Sequence, residues 1–433
     1  MSITPLLSQM LSELAAFLAG EARRCLRRCG SAAVDRFSSA LADVERCLAA
    51  SAGPEDCARA VRRASAPFEH ALGLVCGRTA AENDAEPWWA PMLVDAALLQ
   101  ALAHIALGHD GELTLKALND LDRAIIIGGA SGARLRWIHA VTDHIEGASQ
   151  WLRCSAADEK ARRLQAQPPL PVIGLPAPPA VAHPVRRYSV DEVDVVRFLE
   201  LVRDVDAATP FVIEGAISFW PALGVRGWRD LEYLREAVGS HRLVSVELGD
   251  AYTDSGWTQT LIPFGQLLDT IASPHTTSAP RGYLAQHDLF AQAPRLRCDI
   301  VVPDYALVDT GRRPAIADAD DIAVKVWLGP RGTVSPLHWD PTDNLFAQVV
   351  GHKYFKLYAP SETSNLYPHP PGSLLANTSQ VDAAAPDPAQ HPRAADACYV
   401  ETIVWPGDLL YIPPRWWHYV RSLSTSASVS IWF

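Results

Sequence analysis

His338 and Asp340 stand two apart in "SPLHWDPTDN", and residues two apart on a β-strand point to the same face. An imidazole and a carboxylate placed that way can converge on one cation. The pair alone discriminates little, because a chain with 14 histidines and 49 acidic residues produces such pairs by chance, His144 with Glu146 among them. His418, in "PGDLLYIPPRWWHYV", follows a glycine turn and a run of strand formers and supplies a third donor from a distant strand. Two histidines and one carboxylate make the facial set of non-haem Fe(II) oxygenases, which leaves positions open for a chelating cosubstrate and dioxygen. A closed zinc site would call for a fourth ligand. Lys353 sits in the apolar surroundings of "GHKYFKLYAP", where a buried ammonium needs an anion. It reads as the partner of a cosubstrate carboxylate or, more plainly, as a charge that blunts an edge strand. Glu247, an acid in the apolar run "RLVSVELGD", is followed by Trp257, and Trp327 precedes the metal loop. A guanidinium suits such a group, since it pairs with a carboxylate in a planar fork and stacks on indoles. The plainer alternative is a strand-end acid and two core tryptophans in a chain that has 13. Trp432 reads as core closure or, alternatively, as a residue that reaches the pocket.

These residues need a scaffold that brings distant strands together. "PFVIEGA", "RLVSVELGD", "AVKVWLG", "FAQVVGHKYFKLYA", "YVETIVWPGDLLYIP" and "ASVSIWF" are short β-branched and aromatic runs separated by Gly, Pro and Asp, which predicts a sandwich or jelly roll. "DVVRFLELVRD" and "GWRDLEYLREAVG" predict flanking helices. Before Cys154, "PLLSQMLSELAAFLAGEARRCL", "AAVDRFSSALADVERCLAA", "MLVDAALLQALAHIALG" and "RLRWIHAVTDHIEGASQWLR" repeat apolar residues every three or four positions, the helical period. Between the two regions lies "QAQPPLPVIGLPAPPAVAHPVRR", whose prolines cannot donate to a helix or a central strand. The expected layout is α+β: a helical domain over residues 1–164, a proline-rich linker over 165–187 and a β-rich domain over 188–433.

Composition narrows the class. A net charge of −11 gives no basic footprint for nucleic acid, and an acidic surface can attract a cationic protein partner. The longest apolar stretches fall short of the roughly 20 residues that span a bilayer, and Glu13 and Glu21 make the N-terminus an amphipathic helix rather than a signal peptide. The eight cysteines are scattered, as reduced thiols of the nucleus or cytoplasm are. Cys25 and Cys29 share a helix face but lack a second pair for zinc. His139 and His144 lie on different helix faces, so the helical domain is expected to serve packing, partner binding or dimerisation.

"SPLHWDPTDN", the lysine of "GHKYFKLYAP", "NTSQVD", "PGDLLYIPPRWWHYV" and "GYLAQHDLF", taken in combination, resemble the JmjC-domain 2-oxoglutarate oxygenases. The resemblance covers roughly residues 188 to 433. It implies a double-stranded β-helix with Fe(II) on His338, Asp340 and His418, and 2-oxoglutarate on Lys353 with hydrogen bonds from Tyr283, Ser335 and Asn344. It also implies coupling of 2-oxoglutarate decarboxylation by dioxygen to hydroxylation of a C–H bond. In the resembling group the positions of Glu247, Trp257 and Trp327 line a pocket for an arginine of a protein substrate, hydroxylated at a side-chain carbon. Two alternatives stay open: N-methyl-lysine demethylation by the same machinery, and a non-catalytic cupin-like metal-binding scaffold. The intact lysine and three ligands speak against the last.

Overall fold

The computed structural model describes residues 89–107, 111–149, 179–204, 207–249, 256–272, 282–311 and 322–433, with a few isolated positions besides. It divides into two compact units, Met1–Pro169 with His241–Leu243, and Leu170–Ser240 with Val244–Phe433. The first two expected helices and the Cys25–Cys29 pair lie largely outside the described residues.

In the first unit, α1 (Trp89–Leu107), α2 (Glu112–Ile126) and α3 (Gly132–Ala148) pack on one another. Leu93, Leu98 and Leu102 of α1 are fully buried, as are Leu121 of α2 and Ile138 and Val141 of α3. Arg134 reaches back from α3 to Asp95 at 2.8 Å, which pairs a carboxylate that α1 buries. Among the described residues no helix is long and apolar enough to cross a membrane.

The second unit is built on two sheets. One has nine strands, in the order β1 (Arg186–Ser189), β2 (Phe211–Glu214), β11 (Leu409–Ile412), β8 (Asn344–Val350), β13 (Ser426–Trp432), β6 (Ala323–Gly329), β5 (Gly282–His287), β3 (Leu243–Leu248) and β4 (Thr258–Pro263). The other runs β10 (Tyr399–Val404), β9 (Lys353–Tyr358), β12 (Trp417–Ser422) and β7 (Val334–His338). From β6 onward the chain crosses between sheets at nearly every connection, so neighbours in space come from distant sequence. The end of the proline-rich segment joins this unit: Pro184 bridges Glu401, and β1 runs parallel to β2. The helices expected from "DVVRFLELVRD" and "GWRDLEYLREAVG" form as α4 (Val195–Val202) and α5 (Leu231–Val238), each capped by an aspartate, Asp194 and Asp230.

Alternation along β13 shows how the sandwich is filled. Ala427, Val429 and Ile431 enter the apolar core under the helices, while Ser426, Ser428 and Ser430 face the space between the sheets. Ser428 donates to Gln348 at 3.0 Å, and Ser430 accepts from Trp327 Nε1 at 2.9 Å. Small hydroxyl residues there pair the polar groups that the sheet buries and leave room for a cavity. Phe346, Phe355, Leu357, Leu410 and Val420 close the rest of that interior. A third apolar cluster, including Leu337, Leu366, Trp417 and Tyr419, lies on the outer face of the smaller sheet under the excursion that joins β9 to β10.

Candidate metal centre and cosubstrate pocket

His338 ends β7 and pairs directly with His418 of β12 across the antiparallel ladder. Two residues along β12, Val420 pairs with Ser335, three residues back along β7. That mismatch is a β-bulge, and it has two effects at the site. It puts Ser335 and His338, which a regular strand would turn to opposite faces, on the same cavity wall. It also accommodates Pro336, whose carbonyl accepts from His338 Nδ1 at 2.7 Å. His418 repeats the device with the carbonyl of Trp416, at 3.0 Å. A carbonyl can only accept, so each Nδ1 carries the proton and each Nε2 is left with a bare lone pair.

Asp340 completes the set. Candidate ligand atoms of the three residues lie within 4.8 Å of one another, and His418 Nε2 is 3.8 Å from Asp340 Oδ2. The Trp432 indole N–H donates to Asp340 Oδ2 at 2.8 Å and fixes the plane of the carboxylate. Burial, then the neighbouring His338, pull the His418 pKa down to about 4 against the opposing pull of Asp340. At neutral pH the imidazole is therefore neutral, the form that binds a metal. Two imidazoles and a carboxylate held from outside fit a divalent transition metal of the Fe(II) type.

The same cavity holds Tyr283, Trp327, Asn344, Phe346, Lys353, Ser430 and Trp432. Lys353 opens β9 after the two-residue corner Gly351–His352, where φ is +69° and a Cβ would lie 2.0 Å from the Thr425 carbonyl, so only glycine fits. β9 lies between β10 and β12, so Lys353 is no edge-strand charge. It is 1% exposed and donates to Tyr283 Oη at 3.1 Å, with the rings of Phe346, Tyr283 and Trp327 between 5.2 and 5.6 Å away. Burial lowers its pKa from 10.5 to about 7. Asn344 Oδ1 is buried with no hydrogen-bond partner among the described residues. Gly329 clears the wall beside Tyr283, whose ring carbon would lie 2.7 Å from a Cβ there. An ammonium and unsatisfied polar groups at one end, with a metal triad at the other, fit a short dicarboxylate that chelates the metal.

Two of the positions expected to meet a substrate stand apart. Glu247 pairs in register with Tyr283 across β3 and β5, but neither it nor Trp257 lines the cavity that Trp327 does. Burial raises the Glu247 pKa, and the Trp257 indole N–H partly offsets this without reaching good hydrogen-bond geometry. Sequence reasoning left Trp432 between core closure and the pocket, and the structure puts it in the cavity; Phe346 and Ser430 were missed. Their signal was the strand period, since Trp432 shares a face with Ser430 and Ser428.

A family model described as a cupin-like domain matches residues 201–433. The chain is similar to lysine-specific demethylase 8 of Danio rerio, 46% identical over 228 residues, 53% of this chain and 54% of that protein. It is 36% identical to lysine-specific demethylase JMJ30 of Arabidopsis thaliana over 362 residues, 80% of each chain. It is 27% identical to the bifunctional peptidase and (3S)-lysyl hydroxylase JMJD7 of Homo sapiens over 255 residues, 52% of this chain and 77% of that one. The chain spans about half the length of the demethylase 8 relatives that it matches in Danio rerio and Xenopus tropicalis.

Proposed function

Because the chain belongs to the cupin-like JmjC family, whose members use Fe(II) and 2-oxoglutarate, we propose that it is a protein oxygenase that hydroxylates an arginine side-chain carbon. His338, Asp340 and His418 would hold the metal, and Lys353 with Tyr283, Ser335 and Asn344 the far carboxylate of 2-oxoglutarate. When bound, the metal and cosubstrate supply oxidation of a C–H bond by dioxygen, with loss of carbon dioxide and formation of succinate. The protein's part is placement and exclusion of water. Trp432 keeps the metal-binding carboxylate oriented, and the aromatic wall of Trp327 and Phe346 shields the Lys353 end.

The arginine assignment rests on Glu247. Burial raises its pKa, and among the described residues no cation pairs with it. It lies beside Tyr283 of the cavity wall, with an indole against it. A guanidinium would satisfy the carboxylate and stack on Trp257, and a chain of net charge −11 favours a basic protein substrate. The names of the Danio rerio and Arabidopsis thaliana relatives favour a second reading, N-methyl-lysine demethylation, in which the hydroxylated methyl group leaves as formaldehyde. One experiment separates them: peptides with arginine or methyllysine are incubated with Fe(II), ascorbate and 2-oxoglutarate. A stable gain of about 16 Da on arginine without formaldehyde supports hydroxylation. Formaldehyde from methyllysine with no oxidised arginine selects the demethylase.

A further inference from the structure

The strands that carry the metal ligands have a second face. His338 and Asp340 face the cavity, while Trp339 between them faces a separate groove; His418 faces the cavity, while Trp417 before it lines the same groove. Trp339 therefore lines a depression on the reverse of the metal site together with Pro370, Pro371, Thr363 and Arg415, with the fully buried Trp417 beneath it. The floor is held in place. Trp339 N donates to Asn377 O at 3.0 Å, Asn377 Nδ2 donates to Trp339 O at 2.9 Å, and Trp417 Nε1 donates to Thr363 Oγ1 at 3.0 Å.

Arg415 is the unusual member. Its φ is +64°, a left-handed conformation that costs a non-glycine residue about 1–3 kcal/mol. Its backbone N–H donates to the Asp340 carbonyl at 2.7 Å, which ties the groove wall to the metal loop. Its guanidinium lies 5.2 Å above the centre of the Trp339 ring, exposed, and no carboxylate among the described residues pairs with it. Leu374, between Pro371 and Ala376 of the lining, is 82% exposed. A stacked cation without a counter-charge, beside flat apolar rings and prolines, is complementary to an extended peptide with an apolar residue next to a carboxylate.

We propose that this groove binds a short acidic peptide segment, its apolar residue against Trp339, Pro370 and Pro371 and its carboxylate on Arg415. The segment belongs to the protein substrate, at a distance in sequence from the residue that is oxidised, and to that extent the proposal rests on the oxygenase reading. The substrate would then be recognised by opposite charges at two places: a cation at Glu247 and a carboxylate at Arg415.

The test is fluorescence anisotropy on the metal-free protein, with labelled peptides of proline, alanine and glycine that carry one glutamate, and the matched peptides with glutamine. The glutamate peptides are expected to bind about fivefold more tightly at low salt, a preference that 0.5 M salt, at about 4 Å of Debye length, removes. Arg415→Gln keeps the backbone bond to Asp340 and is expected to bind both peptides equally. Hydrogen exchange should slow in residues 366–377 and 415–417 when the glutamate peptide is bound. Equal binding by the native protein, a preference that survives Arg415→Gln, or protection elsewhere would each overturn the groove. No turnover is involved, so the two readings fail separately: oxidised peptide without the glutamate preference removes the groove alone, and the preference without succinate formation removes the oxygenase alone.

Discussion

Lys353→Met should make the protein more stable while it loses 2-oxoglutarate. Lys353 is buried, and among the described residues its only polar contact is Tyr283 Oη and no carboxylate neutralises it. Burial that lowers its pKa from 10.5 to about 7 disfavours the ammonium by about 5 kcal/mol at most, at roughly 1.4 kcal/mol per pH unit. The folded-state pKa lies below the unfolded one, so this cost is full below about pH 7 and fades as pH rises toward 10.5. Methionine has a similar length and no charge, and replacing a buried ion by a well-packed apolar side chain typically stabilises by about 1–4 kcal/mol. Calorimetric unfolding without cosubstrate should therefore show a higher Tm for Lys353→Met at pH 6, with the difference shrinking at pH 8 and nearly gone at pH 10. Titration calorimetry with 2-oxoglutarate and Mn(II) as a redox-silent metal should show a loss of at least about 100-fold in affinity, since an anion without its buried partner typically loses about 3–5 kcal/mol. A variant no more stable than the native protein at pH 6, or equally stabilised at pH 6 and pH 10, would refute the unpaired ammonium.

His338→Ala should lose Mn(II) binding in calorimetry yet keep the native far-ultraviolet circular dichroism, because the ligand serves the metal more than the core. Trp432→Phe keeps the ring but removes the donor to Asp340, and metal affinity should fall about 10-fold or more, the usual effect of losing an orienting partner; an unchanged affinity would make Trp432 a packing residue only. Glu247→Gln should reduce arginine oxidation far more than substrate-independent succinate release, and equal losses would make Glu247 a residue of the fold. Asp299→Ala should lower stability by about 3 kcal/mol in denaturant titration, because Asp299 is fully buried and accepts from Trp228 Nε1 at 3.0 Å and Tyr233 Oη at 2.7 Å.

The strands that could be read from the chain are those with buried, alternating or continuous apolar runs: β2, β3, β6, β8 to β11 and β13. β7 could not be read that way, because Pro336 stands in its middle. A proline is tolerated there because β7 is an edge strand with a bulge. β1, with Arg186 and Arg187 in "RRYS", lacks the pattern for a similar reason: it lies at the edge, and Arg187 spends its charge on Glu214 and Asp408. The cluster of His338, Asp340 and His418 was legible because the chemistry of a metal site restricts residue type and spacing. Trp432 was not, because an indole that orients a carboxylate looks in sequence like any core tryptophan. Glu247 lay between, an evident misfit in an apolar run whose neighbours only the β3–β5 register supplies.

The bulge at Pro336 makes the two ends of this segment unequal in their tolerance of length changes. Residues 330–333, which lead from β6 into β7, lie before Ser335, and the pairing of Thr333 with Ser422 can absorb a longer turn ahead of it. Between Ser335 and His338 there is no such freedom. Deleting one residue there would leave Ser335 and the first histidine two apart, in step with Val420 and His418, so both would still turn inward on a regular strand. The bulge that accommodates Pro336 would be lost, however, and the carbonyl that accepts from His338 Nδ1 would have to move, so the imidazole would keep its face and lose the partner that fixes its tautomer. A family of such chains should therefore vary freely in the length of the turn and almost never within the three steps that follow it.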